Sequence, residues 1–249
     1  MEDIETKYQA ICKESTENEN ELGLFLGGSR GKSKDFLTKY SDMDVYVILS
    51  DSAPEELKQK IESYKSEYFE MRAYGFDEFK NYAAWGSEKE WDRYNFSHNT
   101  AVIDKTDEIQ KIMDEKGTLP KQVQKKVAAE ALDSYINQVY RSAKYFRDGN
   151  KVSAYLDASE SLPYLMTTLY SLEGRLKPYN KYFEWELKNY PLKFLPWSVE
   201  EFIADYLDIL KTGNSDTQAK VFKGIKKLFI DHGFNETIDG WKNYYFVGK

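Results

Sequence analysis

The sequence predicts an α+β fold, in which a small mixed β-sheet with flanking helices is followed by an all-helical bundle. In the first half, short apolar or β-branched runs such as residues 22–26 and 42–49 alternate with helical segments. After Leu119-Pro120 every segment has helical periodicity, and the breaks fall at Gly and Pro. A chain of 249 residues with 41% hydrophobic residues can build a core in each half. We therefore predict two domains, residues 1–119 and 120–249.

Local signals define the elements of the first half in order. Residues 2–20 form a polar helix with Ile4, Tyr8 and Ile11 at near-helical spacing. The run 22–26 is a strand that ends in a tight turn at Gly27-Gly28. The β-branched and aromatic run 42–49 is a second strand. The remaining predicted elements are a helix from about residue 54 to 66, a third strand 69–76, a short helix 77–85, strand segments 91–96 and 100–104, and a helix 106–115.

The second half contains helices and breakers only. The breakers are Gly149, Pro178, Pro191, Pro196 and Gly213. The helices they separate cover residues 121–147, 151–175, 181–189, 198–211 and 215–232.

Composition excludes several classes of protein. The net charge of −7 is uneven, with 16 Lys/Arg against 26 Asp/Glu (−10) in residues 1–119 and 19 against 16 (+3) in residues 120–249. This acidity argues against nucleic-acid binding, where neutralisation of phosphates dominates affinity. No apolar run approaches the roughly 20 residues of a membrane span. The acidic N-terminus and the single Cys12 predict a cytoplasmic protein with no internal disulfide.

Two aspartates at the start of the second strand are the clearest chemical signal. Asp42 and Asp44 are two residues apart, so their side chains leave the same face of a strand. Neighbouring carboxylates repel each other, and no Lys or Arg occupies an adjacent position of that strand. With only His98 and His232 available as imidazoles, a metal site must use oxygen ligands. These features predict one or two Mg²⁺ ions held by Asp42 and Asp44.

The glycine turn before them is a candidate phosphate site. Gly28 lets the backbone approach a ligand closely, and consecutive N–H groups in such a turn can bind phosphate oxygens. Ser29 adds a hydroxyl donor and Arg30 a planar cation. A polar strand entry beside an ordinary hairpin turn is the alternative interpretation.

These motifs together resemble the nucleotidyltransferase superfamily that includes the DNA polymerase β-like enzymes and the bacterial aminoglycoside nucleotidyltransferases. The family signature is a strand, Gly-Ser or Gly-Gly-Ser, about a dozen residues, then Asp-x-Asp on the next strand. Gly28, Ser29, Asp42 and Asp44 match it, and the resemblance covers roughly residues 20–105. A helical domain after the catalytic domain is also similar to the antibiotic-modifying members. The resemblance implies an Mg²⁺-dependent enzyme that uses a nucleoside triphosphate, with ATP as the expected nucleotide.

The family uses a third carboxylate on a later strand, and the sequence leaves its identity open. Asp92, before a second strand segment, is the preferred metal ligand and catalytic residue. Glu70 and Asp104 are its rivals.

The helical half offers further candidates. Asp157 and Glu160 lie three apart on one helix face, and Glu160 is the candidate general base for an acceptor hydroxyl. Lys177, with Arg175 and Lys181 nearby, is the candidate ligand of the triphosphate. A solvated helix face is the alternative, because acidic helix faces are commonly exposed.

The sequence thus predicts transfer of a nucleoside monophosphate from the triphosphate to a hydroxyl group of a small acceptor, with release of pyrophosphate. The acidic composition favours a cationic acceptor such as an aminoglycoside antibiotic, which would make this a resistance enzyme. A protein-modifying AMP transferase, a partner-binding antitoxin-type nucleotidyltransferase and a catalytically inactive nucleotide-binding scaffold are the alternatives. A homodimer is left open.

Overall fold

A computed structural model describes residues 4–32 and 36–243. Residues 2–3 of the predicted first helix, 33–35 between the first two strands, and 244–249 of the predicted helical domain lie outside the described residues. The chain divides into two compact units, Met1–Thr118 and Leu119–Lys249. We call them the sheet unit and the helical unit; that each is a domain with its own function remains a prediction.

The sheet unit confirms the predicted mixed sheet with flanking helices. Its five strands lie in the order β3-β4-β2-β1-β5, and β2 pairs with β4 in parallel while the other pairs are antiparallel. In chain order the elements are α1 (Ile4–Glu17), β1 (Glu21–Leu26), α2 (Gly28–Lys32), β2 (Met43–Leu49), α3 (Glu55–Glu62), β3 (Lys65–Ser66), β4 (Phe69–Gly75), α4 (Phe76–Asn81), a 3₁₀ helix (Glu90–Phe96), β5 (Ala101–Asp104) and α5 (Ile109–Lys116).

Helices cover both faces of this sheet, because the strand side chains alternate between two apolar clusters. On one face the sheet packs against α1 and α3 through residues that include Leu24, Val45, Val47, Met71 and Ile61. On the other it packs against α4, the 3₁₀ helix and α5, through residues that include Phe25, Tyr46, Phe79, Phe96 and Met113. We call the second face the aromatic face.

Three predicted details are wrong. Residues 91–96 form part of a 3₁₀ helix rather than a strand, because Asp92 to Phe96 are all buried and the exposure does not alternate. Asp42 lies one residue before β2 rather than within it. The helix predicted to run to about residue 66 ends at Glu62, and Lys65–Ser66 instead form the short strand β3, which pairs with the start of β4.

The helical unit contains six α-helices within its described residues. They are α6 (Lys121–Arg147), α7 (Lys151–Leu172), α8 (Phe183–Asn189, preceded by a 3₁₀ turn at Asn180–Tyr182), α9 (Val199–Thr212), α10 (Ser215–Asp231) and α11 (Asn235–Gly240). The helix α9 shows how local sequence fixes the boundaries: Ser198 and Glu201 form a capping box, and Gly213 ends the helix with a φ of 60°. A single apolar core joins α6 and α7 to the shorter helices. Across the described residues, no helix has the length and apolar character that a bilayer crossing requires.

Candidate active site

The glycine turn lies close to the Asp44 carboxylate. The backbone N–H of Gly27 donates to the carbonyl oxygen of Asp44 at 2.9 Å, which continues the antiparallel pairing of β1 with β2. Gly28 has a φ of +56°, and a Cβ on it would lie only 3.0 Å from Asp44 Oδ2. A side chain at position 28 would therefore be strained and would crowd the carboxylate. Ser29, the next residue, is buried.

Residues that sequence analysis missed hold this turn in place. The N–H of Gly28 donates to Asn95 Oδ1 at 3.3 Å. Lys32 Nζ donates to the carbonyl oxygens of Tyr94 at 2.9 Å and Ser97 at 2.6 Å. The turn is thereby tied to the 3₁₀ helix, and no motif in the sequence indicates that link.

Arg30 and Asp42 contact each other through the backbone. Arg30 Nε donates to the carbonyl oxygen of Asp42 at 3.0 Å, and its Nη1 lies 3.5 Å from a Glu5 carboxylate oxygen. Asp42 is exposed. In this structure Arg30 supports the entry to β2, and its predicted contact with phosphate remains a prediction.

Tyr46 is the centre of the aromatic face. Its ring stacks on Phe25 at 4.8 Å between centroids, and on Tyr74 at 6.3 Å. Burial raises the pKa of the Tyr46 hydroxyl, Arg72 opposes that rise, and Asp92 and Asp44 add to it. Asp44 and Asp92 therefore both lie within electrostatic reach of the Tyr46 hydroxyl, although they come from different elements.

Asp92 is a buried residue of the 3₁₀ helix. Its Oδ2 accepts a hydrogen bond from the Tyr82 hydroxyl at 2.7 Å. Burial and this hydrogen bond both raise the pKa of Tyr82, so the tyrosine is a firm donor at neutral pH. The role of Asp92 as a metal ligand remains a prediction.

The parallel pairing of β2 with β4 brings a rival carboxylate to Asp44. Glu70 is the register partner of Asp44, which places the two side chains side by side on one face. Lys65 Nζ lies 3.2 Å from Glu70 Oε1, and Arg72 Nη2 lies 3.6 Å from Glu70 Oε2. The hydrogen bond from Lys65 lowers the pKa of Glu70, burial raises it, and Arg72 lowers it further.

Arg72 supplies a cation near Asp44 that the sequence of β2 alone does not reveal. The sequence places no Lys or Arg beside the two aspartates on their own strand, but Arg72 stands on the adjacent strand as the register partner of Tyr46. This neighbour follows from the pairing of β2 with β4, which the sequence of β2 alone does not contain.

Asp104, the other rival, has a structural role. Its carboxylate accepts hydrogen bonds from the Thr106 and Gln110 backbone and from the Thr106 hydroxyl. Burial raises the pKa of Asp104, but these hydrogen bonds outweigh it and the net shift is downward. The carboxylate thus anchors the start of α5.

The predicted residues of the helical unit sit in local pairs. Glu160 is an exposed residue of α7, and its Oε2 accepts from Gln138 Nε2 at 3.1 Å. Asp157 is buried and pairs with Arg141 at 3.3 Å. Burial raises the pKa of Asp157, Arg141 lowers it, and Glu160 raises it.

The basic residues after α7 differ in their surroundings. Arg175 Nη2 lies 2.5 Å from Glu186 Oε1, and the guanidinium also stands 4.9 Å from the Tyr170 ring centre. Lys177 is exposed in the following loop.

A separate cavity of about 270 Å³ in the helical unit is lined by Lys121, Lys125 and His232, among others, and by none of the predicted site residues.

Within residues 4–32 and 36–243, no three His, Cys, Asp or Glu side chains are grouped as a ready-made metal site. Mg²⁺ commonly takes one or two carboxylates and completes its shell with phosphate oxygens and water.

Comparison with known proteins gives little beyond this geometry. No protein-family model matches the sequence, and no curated protein matches it. Among solved structures, the chain is similar to a nucleotidyltransferase-like protein from Exiguobacterium sibiricum 255-15, with 13% identity and a TM-score of 0.45. That similarity covers 97% of this chain and 78% of the other. The identity and the TM-score are both low, so any function has to be supported by the residues described above.

Proposed function

We propose that this protein is a nucleotidyltransferase, which moves a nucleoside monophosphate from a nucleoside triphosphate to a hydroxyl group of a small-molecule acceptor. The observation that carries the proposal is the close approach of the Gly28 turn to the Asp44 carboxylate, where even a Cβ on Gly28 would lie only 3.0 Å from Oδ2. A backbone turn suited to phosphate and a carboxylate suited to a divalent cation stand side by side, as transfer from a triphosphate requires.

The donor set fits Mg²⁺ through its chemistry. Asp44 lies beside Gly28, Asp42 is exposed two residues earlier, and Glu70 is adjacent to Asp44 on the next strand. All are hard oxygen donors. Asp42 and Asp44 would hold the ion, with Asp92 or Glu70 as the third carboxylate. When bound, Mg²⁺ supplies charge neutralisation to the triphosphate.

The protein's own groups would bind the triphosphate and accept the proton of the acceptor hydroxyl. The Gly28 turn would bind phosphate oxygens through the Ser29 backbone N–H and hydroxyl, while the Gly28 N–H stays on Asn95 Oδ1, and would orient the α-phosphorus for in-line attack. A carboxylate would accept the proton of the acceptor hydroxyl as its oxygen bonds to phosphorus and pyrophosphate leaves. Glu160 or the third carboxylate is the proposed base, and Lys177 a proposed ligand of the triphosphate.

The proposal also covers the chemical class of the acceptor and the identity of the nucleotide. The charge of −10 in residues 1–119 supports a cationic acceptor of the aminoglycoside class. ATP is the proposed nucleotide and the cytoplasm the proposed location, which the low cysteine content supports. Antibiotic resistance follows only if the acceptor is an antibiotic.

Calorimetric titration of ATP and GTP, each with and without Mg²⁺, tests the proposal on the wild type and on Asp44→Asn. We expect Mg²⁺-dependent binding that falls by at least roughly 10- to 100-fold in the variant, because a direct metal ligand is lost. Asp77→Asn is the matched control, since it removes the same charge from the exposed side chain that pairs with Lys80 on α4. Unchanged nucleotide binding in Asp44→Asn, with the fold intact by circular dichroism, would refute the proposed site.

A further inference from the structure

A cation already stands among the carboxylates of the proposed metal site. Asp44 and Glu70 are register partners on the parallel strands β2 and β4, so their side chains are neighbours on the aromatic face. Like charges in this position repel each other unless a cation lies between or beside them.

Arg72 is that cation. It is the next residue of β4 on the same face, two positions after Glu70, and its Nη2 lies 3.6 Å from Glu70 Oε2. Its guanidinium also stands 5.8 Å from the centre of the Tyr46 ring, and Tyr46 is two positions after Asp44 on the same face. The guanidinium therefore stands beside Glu70 and in the register row next to the one that contains Asp44 and Glu70, on the same face of the sheet.

The electrostatics of Arg72 agree with this placement. Burial lowers its pKa, but Tyr46, Glu70, Tyr74 and Asp44 raise it, and the net shift is upward. Lys65, the other cation paired with Glu70, stands on the edge strand β3 and is 69% exposed. Water screens that lysine more than it screens Arg72.

We infer that Arg72 is the resident counter-ion of the Asp44–Glu70 pair in the nucleotide-free protein, so that the divalent cation enters together with the triphosphate rather than ahead of it. This inference rests on the proposed function. A metal ion that arrives alone must compete with Arg72 for carboxylates that are already neutralised. A metal ion that arrives on a triphosphate brings a net negative partner, and guanidinium groups bind phosphate oxygens in a bidentate manner. Arg72 is thus a positioning residue that sets the order of binding.

The affinity for Mn²⁺ alone, measured by electron paramagnetic resonance on the full chain without nucleotide, tests this inference. We expect Arg72→Gln to bind Mn²⁺ about tenfold more tightly than the wild type, because one positive charge a few ångströms from the ion is removed. Arg72→Lys keeps the charge and should bind Mn²⁺ as weakly as the wild type. Lys65→Gln removes the other cation beside Glu70 and should change the affinity by less than about threefold, because Lys65 is 69% exposed against 46% for Arg72 and its strand β3 is separated from Asp44 by β4.

The double variant Arg72→Gln/Asp44→Asn locates the effect. If the tighter site is the proposed one, the second substitution abolishes the gain. Equal Mn²⁺ affinity in Arg72→Gln and the wild type, or an equal gain in Lys65→Gln, would overturn the inference.

Two patterns of failure are distinguishable. If MgATP binds in an Asp44-dependent manner but Arg72→Gln leaves Mn²⁺ affinity unchanged, the inference is wrong and the proposed function stands. If neither MgATP nor Mn²⁺ binds to the wild type or to any variant, both are wrong.

Discussion

In the sheet unit, charged side chains from several elements meet on one face, whereas in the helical unit they pair off between neighbouring segments. Arg72 from β4, Asp44 from β2 and Asp92 from the 3₁₀ helix all act electrostatically on Tyr46, and Glu70 lies beside Asp44 and Arg72. A like-charged group of this kind costs stability unless it is balanced by a cation or a ligand.

The helical unit presents the opposite arrangement. Gln138 bonds Glu160, Arg141 pairs with Asp157, and Arg175 pairs with Glu186. In each pair the partners come from segments that pack against each other, so the interaction fixes local packing. The difference teaches that convergence of charge, rather than the presence of charged residues, distinguishes a site from a structural pair.

Breaking a helical pair should therefore cost stability and leave ligand binding intact. Arg175→Gln leaves the Glu186 carboxylate, which is 2% exposed, without its cation. We expect the free energy of unfolding to fall by about 3 kcal/mol, because an unpaired buried charge is strongly destabilising. Urea denaturation measures this loss.

Lys188→Gln is the control. Lys188 lies on α8, as Glu186 does, but Lys188 and its partner Glu184 are both exposed. This substitution should leave the denaturation midpoint nearly unchanged. If Arg175→Gln instead abolished MgATP binding at full stability, Arg175 would belong to the site rather than to a structural pair, and the contrast drawn from it would fail.

How far the sequence predicts this arrangement depends on whether the signal is local. The strand ending at Gly27-Gly28, the strand after Asp42 and the long helices α6 and α7 follow from turn residues and periodicity, and the fold class they predict is confirmed. The proximity of Gly28 to Asp44 follows from the pairing of two strands close in sequence.

The non-local neighbours could not be derived in the same way. Arg72 reaches the carboxylates only because β2 and β4 pair in parallel with Asp44 opposite Glu70, a choice that short sequence windows do not encode. The 3₁₀ helix was mistaken for a strand because its aromatic residues have high strand propensity, while its buried Arg93 bonds backbone carbonyls at Ala83, Glu115 and Thr118. The alternation of Glu70 and Arg72 on one strand was the signal that could have indicated a shared face. The chemical roles of all these residues stay predictions.

The sheet unit also contains a buried charged residue with a structural role, Lys116, and the pH dependence of stability can identify its contribution. Lys116 is buried, and its Nζ donates to the carbonyl oxygens of Lys80 and Tyr82. Burial, with a smaller contribution from Arg93, lowers the pKa of Lys116 from 10.5 to about 8. Between these values the unfolded chain holds the proton and the folded chain does not, so stability should rise with pH across this window.

We expect the rise from pH 8 to 10.5 to be on the order of 2 kcal/mol, and to be absent in Lys116→Met. Lys111→Met, an exposed lysine of the same helix, should keep the wild-type slope. Because the substitution also removes two hydrogen bonds, the slopes rather than the absolute stabilities are compared. Parallel slopes in wild type and Lys116→Met would show that Lys116 does not carry the effect.

Alanine substitutions at two glycines, with the smallest expected effects, separate the cost of backbone strain from a role in the proposed site. Gly28 and Gly86 both have a positive φ, +56° and +80°, but a Cβ on Gly28 would lie 3.0 Å from Asp44 Oδ2 and one on Gly86 would meet nothing within 4 Å. Alanine at either position should cost about 1 kcal/mol of stability, because L-residues are strained there. Only Gly28→Ala should also weaken MgATP binding, by about tenfold, since its methyl group occupies space beside the carboxylate. If calorimetry finds both variants equally unimpaired, the turn at Gly28 is an ordinary connection between strands, and the convergence on the aromatic face has a structural origin.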